Sequence, residues 1–206
     1  MRSSKRELQR RIAYEAARIL TELRSDNVTH ACQKAAAKYG VTRRQMMPNR
    51  EEVEQALREQ QRLLRGEQQS DVMQNLRLSA LTAMQALQQF QPILVGSVFH
   101  GTADSNSQVK LHLFANTPEE ILFALSDMHI PWQEKQQTAL FSDGSRDTLP
   151  SFLFSADGVV FELIVLPAGN RHKRPLDPID NLPMLGANLK QLKRLLDLQP
   201  EPTDPG

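Results

Sequence analysis

At Pro92 the apolar residues of this chain change their spacing, and the change splits the sequence into a helical part and a part that must contain strands. Upstream, Leu8, Ile12, Ala16, Ile19 and Leu23 recur every three or four residues, which makes one apolar stripe on a helix. After a turn at Ser25-Asp26-Asn27, an alanine-rich helix runs to Tyr39 and is stopped by Gly40. Asn49 followed by Glu52 reads as a capping box that starts a helix carrying Val53, Leu57, Leu63 and Leu64. Gly66 and the polar run Glu67-Gln68-Gln69-Ser70 predict a joint. A further helix then carries Val72, Leu76, Ala80, Ala83, Met84 and Leu87 up to Pro92.

Downstream the period shortens. Ile93-Leu94-Val95 is a short apolar run leading into Gly96-Ser97, as a buried strand leads into a turn. From Gln108 to Phe114 the residues alternate, with Val109, Leu111 and Leu113 on one face and Gln108, Lys110 and His112 on the other. Thr117-Pro118-Glu119-Glu120 is a helix start, and that helix is expected to end near Met128. Strands are predicted near Trp132–Phe141, Ser151–Ser155 and Val159–Leu166, with turns at Asp143-Gly144 and Asp157-Gly158. Pro167 to Pro183 reads as a long loop, and a last helix covers about Asn188 to Leu198.

Helices followed by strands mixed with helices predict an α+β fold, with an N-terminal helical module and then a mixed β-sheet with helices against one face. The expected divisions are a helical module at 1–66, an α/β domain at 67–199 and a disordered tail at 200–206. A chain of 206 residues can bury such a core and carry a smaller module. A net charge of +1 is not that of a dedicated nucleic-acid binder or an acidic-tail protein. The single cysteine, Cys32, excludes an intramolecular disulfide and fits a reducing compartment. It is expected to be a small buried apolar residue. No run approaches the ~20 apolar residues of a membrane span, and the N-terminus lacks the apolar core of a secretory signal. A soluble cytoplasmic protein without a membrane partner is therefore expected.

The most informative stretch is Leu94-Val95-Gly96-Ser97-Val98-Phe99-His100-Gly101, continuing to Ser107-Gln108-Val109-Lys110-Leu111-His112-Leu113. With the helix before it, it resembles the signature of the nucleotidyltransferase superfamily, the polymerase-β-like and MNT-type proteins. The resemblance covers about half the chain. In that family Gly-Ser follows a strand, the next strand carries two alternate acids, and a later strand adds a third. The resemblance implies a nucleotidyltransferase-like fold and assigns Gly96 and Ser97 to phosphate contact. A glycine lets the backbone approach a phosphate, and the serine hydroxyl and nearby amides can donate to it. Alternate acids project from one face of a strand, and with a third they hold two divalent metals for phosphoryl transfer.

Here the two acid positions are Gln108 and Lys110, and only Glu162 remains as the third acid. A lysine beside a cation at ~4 Å is opposed by about 4 kcal/mol at an effective dielectric of about 20. The leading expectation is thus a degenerate, nucleotidyltransferase-like pseudoenzyme that binds a nucleotide, an RNA end or a protein partner. Gly96, Ser97, Gln108 and Lys110 would be its nucleotide- or phosphate-binding residues, Glu162 would be its one catalytic candidate, and no residue is assigned to a metal. A second reading is an active, atypical enzyme in which Glu162 and Asp104 hold one Mg²⁺. A third is a scaffold that binds a protein partner through the helical module, with the Leu8, Ile12, Ile19 and Leu23 stripe partly exposed. Against all three stands a purely structural ion pair between Lys110 and Glu162 on adjacent strands.

Histidines 100 and 112 are candidate bases or phosphate contacts, although surface or packing roles are commoner. Trp132 reads as core or edge packing. Two basic clusters, one at Arg2, Lys5, Arg6, Arg10 and Arg11 and one at Arg171-His172-Lys173-Arg174, would bind a phosphate backbone if they shared a surface.

Overall fold

Helix α1 (Arg2–Leu23) buries the middle of the predicted stripe, Ile12, Ala16 and Ile19, against two partners, α2 (Val28–Lys38) and the first part of α3 (Arg50–Ala86). Ile12, Ala16, Ala17 and Leu20 meet Ala31, Cys32 and Ala35 of α2 and Val53 and Leu57 of α3. The many alanines let the helices approach closely, and burial pushes the Cys32 thiol up to about 12. Cys32 is therefore the small apolar residue the sequence suggests. The computed structural model describes residues 2–23, 27–43 and 46–197, with backbone alone at 2–4, 64–69 and 197. The expected turn at Ser25-Asp26 and the tail at 200–206 lie outside these residues.

Asn49 and Glu52 form the predicted capping box, each side chain accepting the other's backbone N–H at 2.8 Å, an arrangement that stabilises a helix by about 1 kcal/mol. The joint expected at Gly66 is absent, because α3 is one helix of 37 residues that passes through it. A mid-helix glycine costs only about 1 kcal/mol, and α3 is anchored at both ends. Its first part packs in the helical core, while Met73, Leu76, Ala80 and Met84 pack under the sheet. Of the stripe proposed for a protein partner, Ile12 and Ile19 are buried, Leu8 is half-buried and Leu23 is exposed.

The sheet contains β1 (Ile93–Val95), β2 (Val109–Ala115), β3 (Gln133–Leu140), β4 (Arg146–Ala156) and β5 (Val159–Pro167), ordered β1-β2-β5-β4-β3. Only the β2–β5 pair is parallel, so the fold is α+β with a mixed sheet, as expected. The front face is apolar: Val109, Leu111 and Leu113 of β2, Phe161, Leu163 and Val165 of β5, and Phe152 and Phe154 of β4. The second part of α3, α5 (Pro118–Asp127) and α6 (Leu189–Asp197) cover it through residues such as Ile121, Leu125 and Leu192. Thr117 and Glu120 cap α5, and Pro118 stands in its first turn, as read from the sequence.

The back face was expected to be polar but is also covered. The long loop expected from the sequence is present, and its residues 171–187 are drawn across the sheet as a strap. It bridges Phe141 at Pro175 near the β3 end and Leu94 of β1 at Ala187, where Leu94 and Ala187 exchange backbone hydrogen bonds of 2.8 and 2.9 Å. The contact at β1 is close enough to require Gly186, since a Cβ there would stand 2.6 Å from Ile93 Cγ2 and 2.7 Å from the Leu94 carbonyl oxygen. Beneath the strap, Phe141, Leu149, Ile164 and Leu166 form a small second core. His112, assigned by alternation to an open face, is only 6% exposed. Among the described residues no helix is long and apolar enough to cross a membrane.

Candidate functional site

Strand β1 ends at Val95 and the chain turns directly into α4 (Gly96–His100). Gly96 and Ser97 are thus the first residues of a short helix, not members of a turn. Gly96 has φ +75°, a backbone region that glycine enters at no steric cost. Its bare backbone lies under the lysine of the neighbouring strand, for a Cβ at Gly96 would stand 3.6 Å from Lys110 Cδ.

Lys110 and Glu162 are register partners on the parallel pair β2 and β5. The Lys110 ammonium lies 3.4 Å from Glu162 Oε2, with the two side chains 28% and 14% exposed. An ion pair therefore stands where the resemblance places metal-binding acids. Lys110, Gly96 and Ser97 line one cavity of about 320 Å³, whereas Gln108 and Glu162 do not contribute to its wall. The Ser97 hydroxyl oxygen is buried and has no hydrogen-bond partner among the described residues. Such a group costs about 1–3 kcal/mol relative to a satisfied one.

The opposite wall comes from the helical module and the strap. Arg50, near the start of α3, places its Nε 3.4 Å from Glu54 Oε1 and 3.2 Å from Asp177 Oδ2. Thr102 donates to Glu54 Oε2 at 2.6 Å, and Asp177 Oδ1 accepts the Ile179 N–H at 2.8 Å. Burial raises the pKa of both carboxyls, while the Arg50 charge opposes the rise. Arg50 and Asp177 line the same cavity as Lys110, and sequence reading missed both. The available signal was Glu54, a charged residue set among the buried positions Val53, Ala56 and Leu57 of a helix.

The remaining candidates separate. Burial lowers the His112 pKa to about 4, and burial with the nearby Arg50 charge does the same to His100. Both rings are neutral at pH 7, and His112 lines the cavity. Asp104 Oδ1 accepts the Asn106 N–H at 3.0 Å and the Ser107 hydroxyl at 3.1 Å, which engages it in its own turn. Trp132 is partly buried against the main core. Among the described residues, no three His, Cys, Asp or Glu side chains are grouped to hold a metal ion.

The two basic clusters line different cavities that have no residue in common. Arg6, Arg10 and Arg11 share theirs with Glu7, Glu52 and Glu59. Arg171 and Arg174 line a cleft at the other end of the back face. Lys173 is drawn off by Asp143 at 2.6 Å and by Ser145 Oγ at 2.9 Å, with its ammonium over the Phe141 ring.

In comparisons with known proteins, no family model matches the chain and no curated protein matches it.

Proposed function

We propose that this chain is a nucleotidyltransferase-like protein, catalytically degenerate, that binds the phosphate of a nucleotide or RNA end in the cavity beside Lys110. The pairing of Lys110 with Glu162 carries the reading. A cation occupies the register position at which two-metal chemistry needs an acid, and it still opens onto a cavity edged by Gly96 and Ser97. The Lys110 ammonium, which opens onto the cavity, is a donor that a phosphate oxygen can accept from. Arg50 adds a second cation to the same cavity. Glu162 and Asp177 hold back part of that charge, so binding is expected to be modest, with a Kd of about 10 μM to 1 mM.

Titration of the purified protein with ATP, GTP, CTP and UTP, with and without Mg²⁺, tests this. Metal-independent binding that weakens about tenfold in Lys110→Ala supports the reading. Binding that requires Mg²⁺ and is lost in Glu162→Ala points to the atypical enzyme instead. Nucleotide binding that ignores Lys110 removes this cavity from consideration.

A further inference from the structure

The larger cavity on the back face differs from the others in its charge. It is an open cleft of about 770 Å³ at the carboxyl ends of β2 and β5, away from Gly96 and Ser97. Three cations line it, Arg171 and Arg174 of the strap and Lys190 at the start of α6, and no carboxylate does. All three are exposed, and none makes an ion pair with a carboxylate among the described residues. The cations that line the Lys110 cavity and the cavity of the helical module stand beside carboxylates. Arg6, Arg10 and Arg11 share their cavity with three glutamates, Arg50 is held between Glu54 and Asp177, and Lys173 is bound by Asp143. For a chain of net charge +1, three cations on a cleft whose lining holds no carboxylate make a local field, which concentrates anions; Glu120 meets only Arg171, across a smaller adjoining cavity.

The floor differs in chemistry from the rim. Ile93, Phe114 and Leu189, all partly exposed, supply apolar and aromatic surface beside the buried Leu166 and His112. The amides of Gln88, Gln91 and Asn188 stand at the margin. An inorganic anion alone would leave that floor uncovered. A ligand that matches both parts has a phosphate at one end and a flat, partly apolar body with hydrogen-bonding edges at the other. The volume falls in the ~300–1,000 Å³ range of small-molecule sites.

We propose that the cleft bounded by Arg171, Arg174 and Lys190 is a binding site for a nucleoside phosphate, held by its phosphate on the three cations and by its base over Phe114. The guanidinium groups can each present two N–H donors to phosphate oxygens. The site needs no metal, and it is separate from the Lys110 cavity, with which it shares only His112, Pro175 and Met184. The proposal therefore does not depend on the resemblance or on the reading of Lys110.

The test is calorimetric titration of the full chain at low salt, with EDTA present, using AMP, ADP and UDP, and adenosine and pyrophosphate as separate halves of the ligand. Saturable binding of the nucleotides, little of adenosine, and weaker binding of pyrophosphate than of ADP are expected. Arg171→Ala and Arg174→Ala should each weaken nucleotide binding by about tenfold or more, corresponding to loss of a charge-assisted hydrogen bond. The titrations are repeated on Lys110→Ala, which removes the contribution of the other cavity, and the binding that remains in that background is the binding that Arg171→Ala and Arg174→Ala must weaken. Because the substituted residues are exposed, the variants should keep the parent's melting temperature, which confirms that affinity and not folding has changed. No saturation by about 5 mM nucleotide, binding indifferent to both arginines, or pyrophosphate binding as tightly as ADP each overturns the proposal. Binding of an RNA oligomer without binding of mononucleotides also overturns it, since that marks the cations as a polymer-binding surface.

Discussion

The two faces of the sheet are built by different rules. The front face is a continuous layer of Val109, Leu111, Leu113, Phe161, Leu163 and Val165, sealed by helices. The back face alternates with it residue by residue, yet it holds a lysine–glutamate pair, a buried histidine and a buried serine hydroxyl without a partner, Ser151. Both faces are covered, but the helices meet the front face with apolar side chains such as Leu76, Met84, Ile121 and Leu125. Chemistry that a closed core would exclude is tolerated on the back because a strap, rather than a helix layer, closes it and leaves two cavities.

The sharpest way to break this contrast is to remove one side chain from the front. Leu111 is fully buried, and Leu111→Ala should lower unfolding stability by about 2–5 kcal/mol, the sum of lost transfer energy and a residual cavity. Chemical denaturation with an unchanged m-value would measure it. A loss below about 1 kcal/mol would mean the front layer can collapse around the gap and is less tightly packed than its burial implies.

On the back face the next largest effect depends on pH. Burial holds His112 at a pKa of about 4 against an ordinary value of 6.5. On acidification the unfolded chain takes up the proton first. Stability is therefore fully present above about pH 6.5 and falls as the pH drops toward 4, by at most about 1.4 kcal/mol per pH unit for this ring. His100, lowered to a similar value, adds to the same window. His112→Phe should flatten the stability profile between pH 6.5 and 4.5 relative to the parent. An unchanged slope would show that the His112 ring is open to protons in the folded state.

How far the sequence revealed each face follows from the same contrast. Val109, Leu111 and Leu113 announce a strand with one apolar side, because burial under helices depends on local period alone. The capping boxes at Asn49 and Thr117 are likewise local and are found where the residues place them. Lys110 and Glu162 could be suspected as partners, but only the parallel register puts them side by side. The covering of His112 depends on Ala187 reaching Leu94 and Pro175 reaching Phe141. Nothing in a strap of prolines and polar residues has a period that announces such pairings. Arg50 and Asp177 were missed for that reason, since they meet only after the strap has closed on α3. The Gly66 joint failed in the opposite direction: a local signal worth about 1 kcal/mol was overridden by two cores pulling on one helix.

Gly186 tests whether the strap is what closes the back face. Its Cα faces Ile93 Cγ2 and the Leu94 carbonyl at separations that a methyl group cannot share. Gly186→Ala should cost about 1–3 kcal/mol as overpacking against backbone. Hydrogen exchange should rise at the Leu94 and Ala187 amides, which pair across that contact. Faster exchange confined to those amides would place the strap among the locally opening parts of the fold. A variant with parent stability and unchanged exchange there would mean the strap is seated less closely on β1.

The smallest effect decides how the back face accommodates polar groups. Ser151 is 1% exposed in the middle of β4, opposite Ile164, and its hydroxyl has no hydrogen-bond partner among the described residues. Removing an unsatisfied buried hydroxyl removes a desolvation cost of about 1–3 kcal/mol. Alanine's weaker strand preference and the small void it leaves give part of that back. Ser151→Ala should therefore be neutral or more stable than the parent by up to about 1 kcal/mol. The same change on a satisfied serine would destabilise by a similar amount, so the sign of the shift in denaturation midpoint carries the answer. A stabilised variant means the back face tolerates an unpaired polar group within the fold itself. A destabilised one means that the Ser151 hydroxyl has a partner in solution, and the strap then closes over a hydrated layer rather than a dry one.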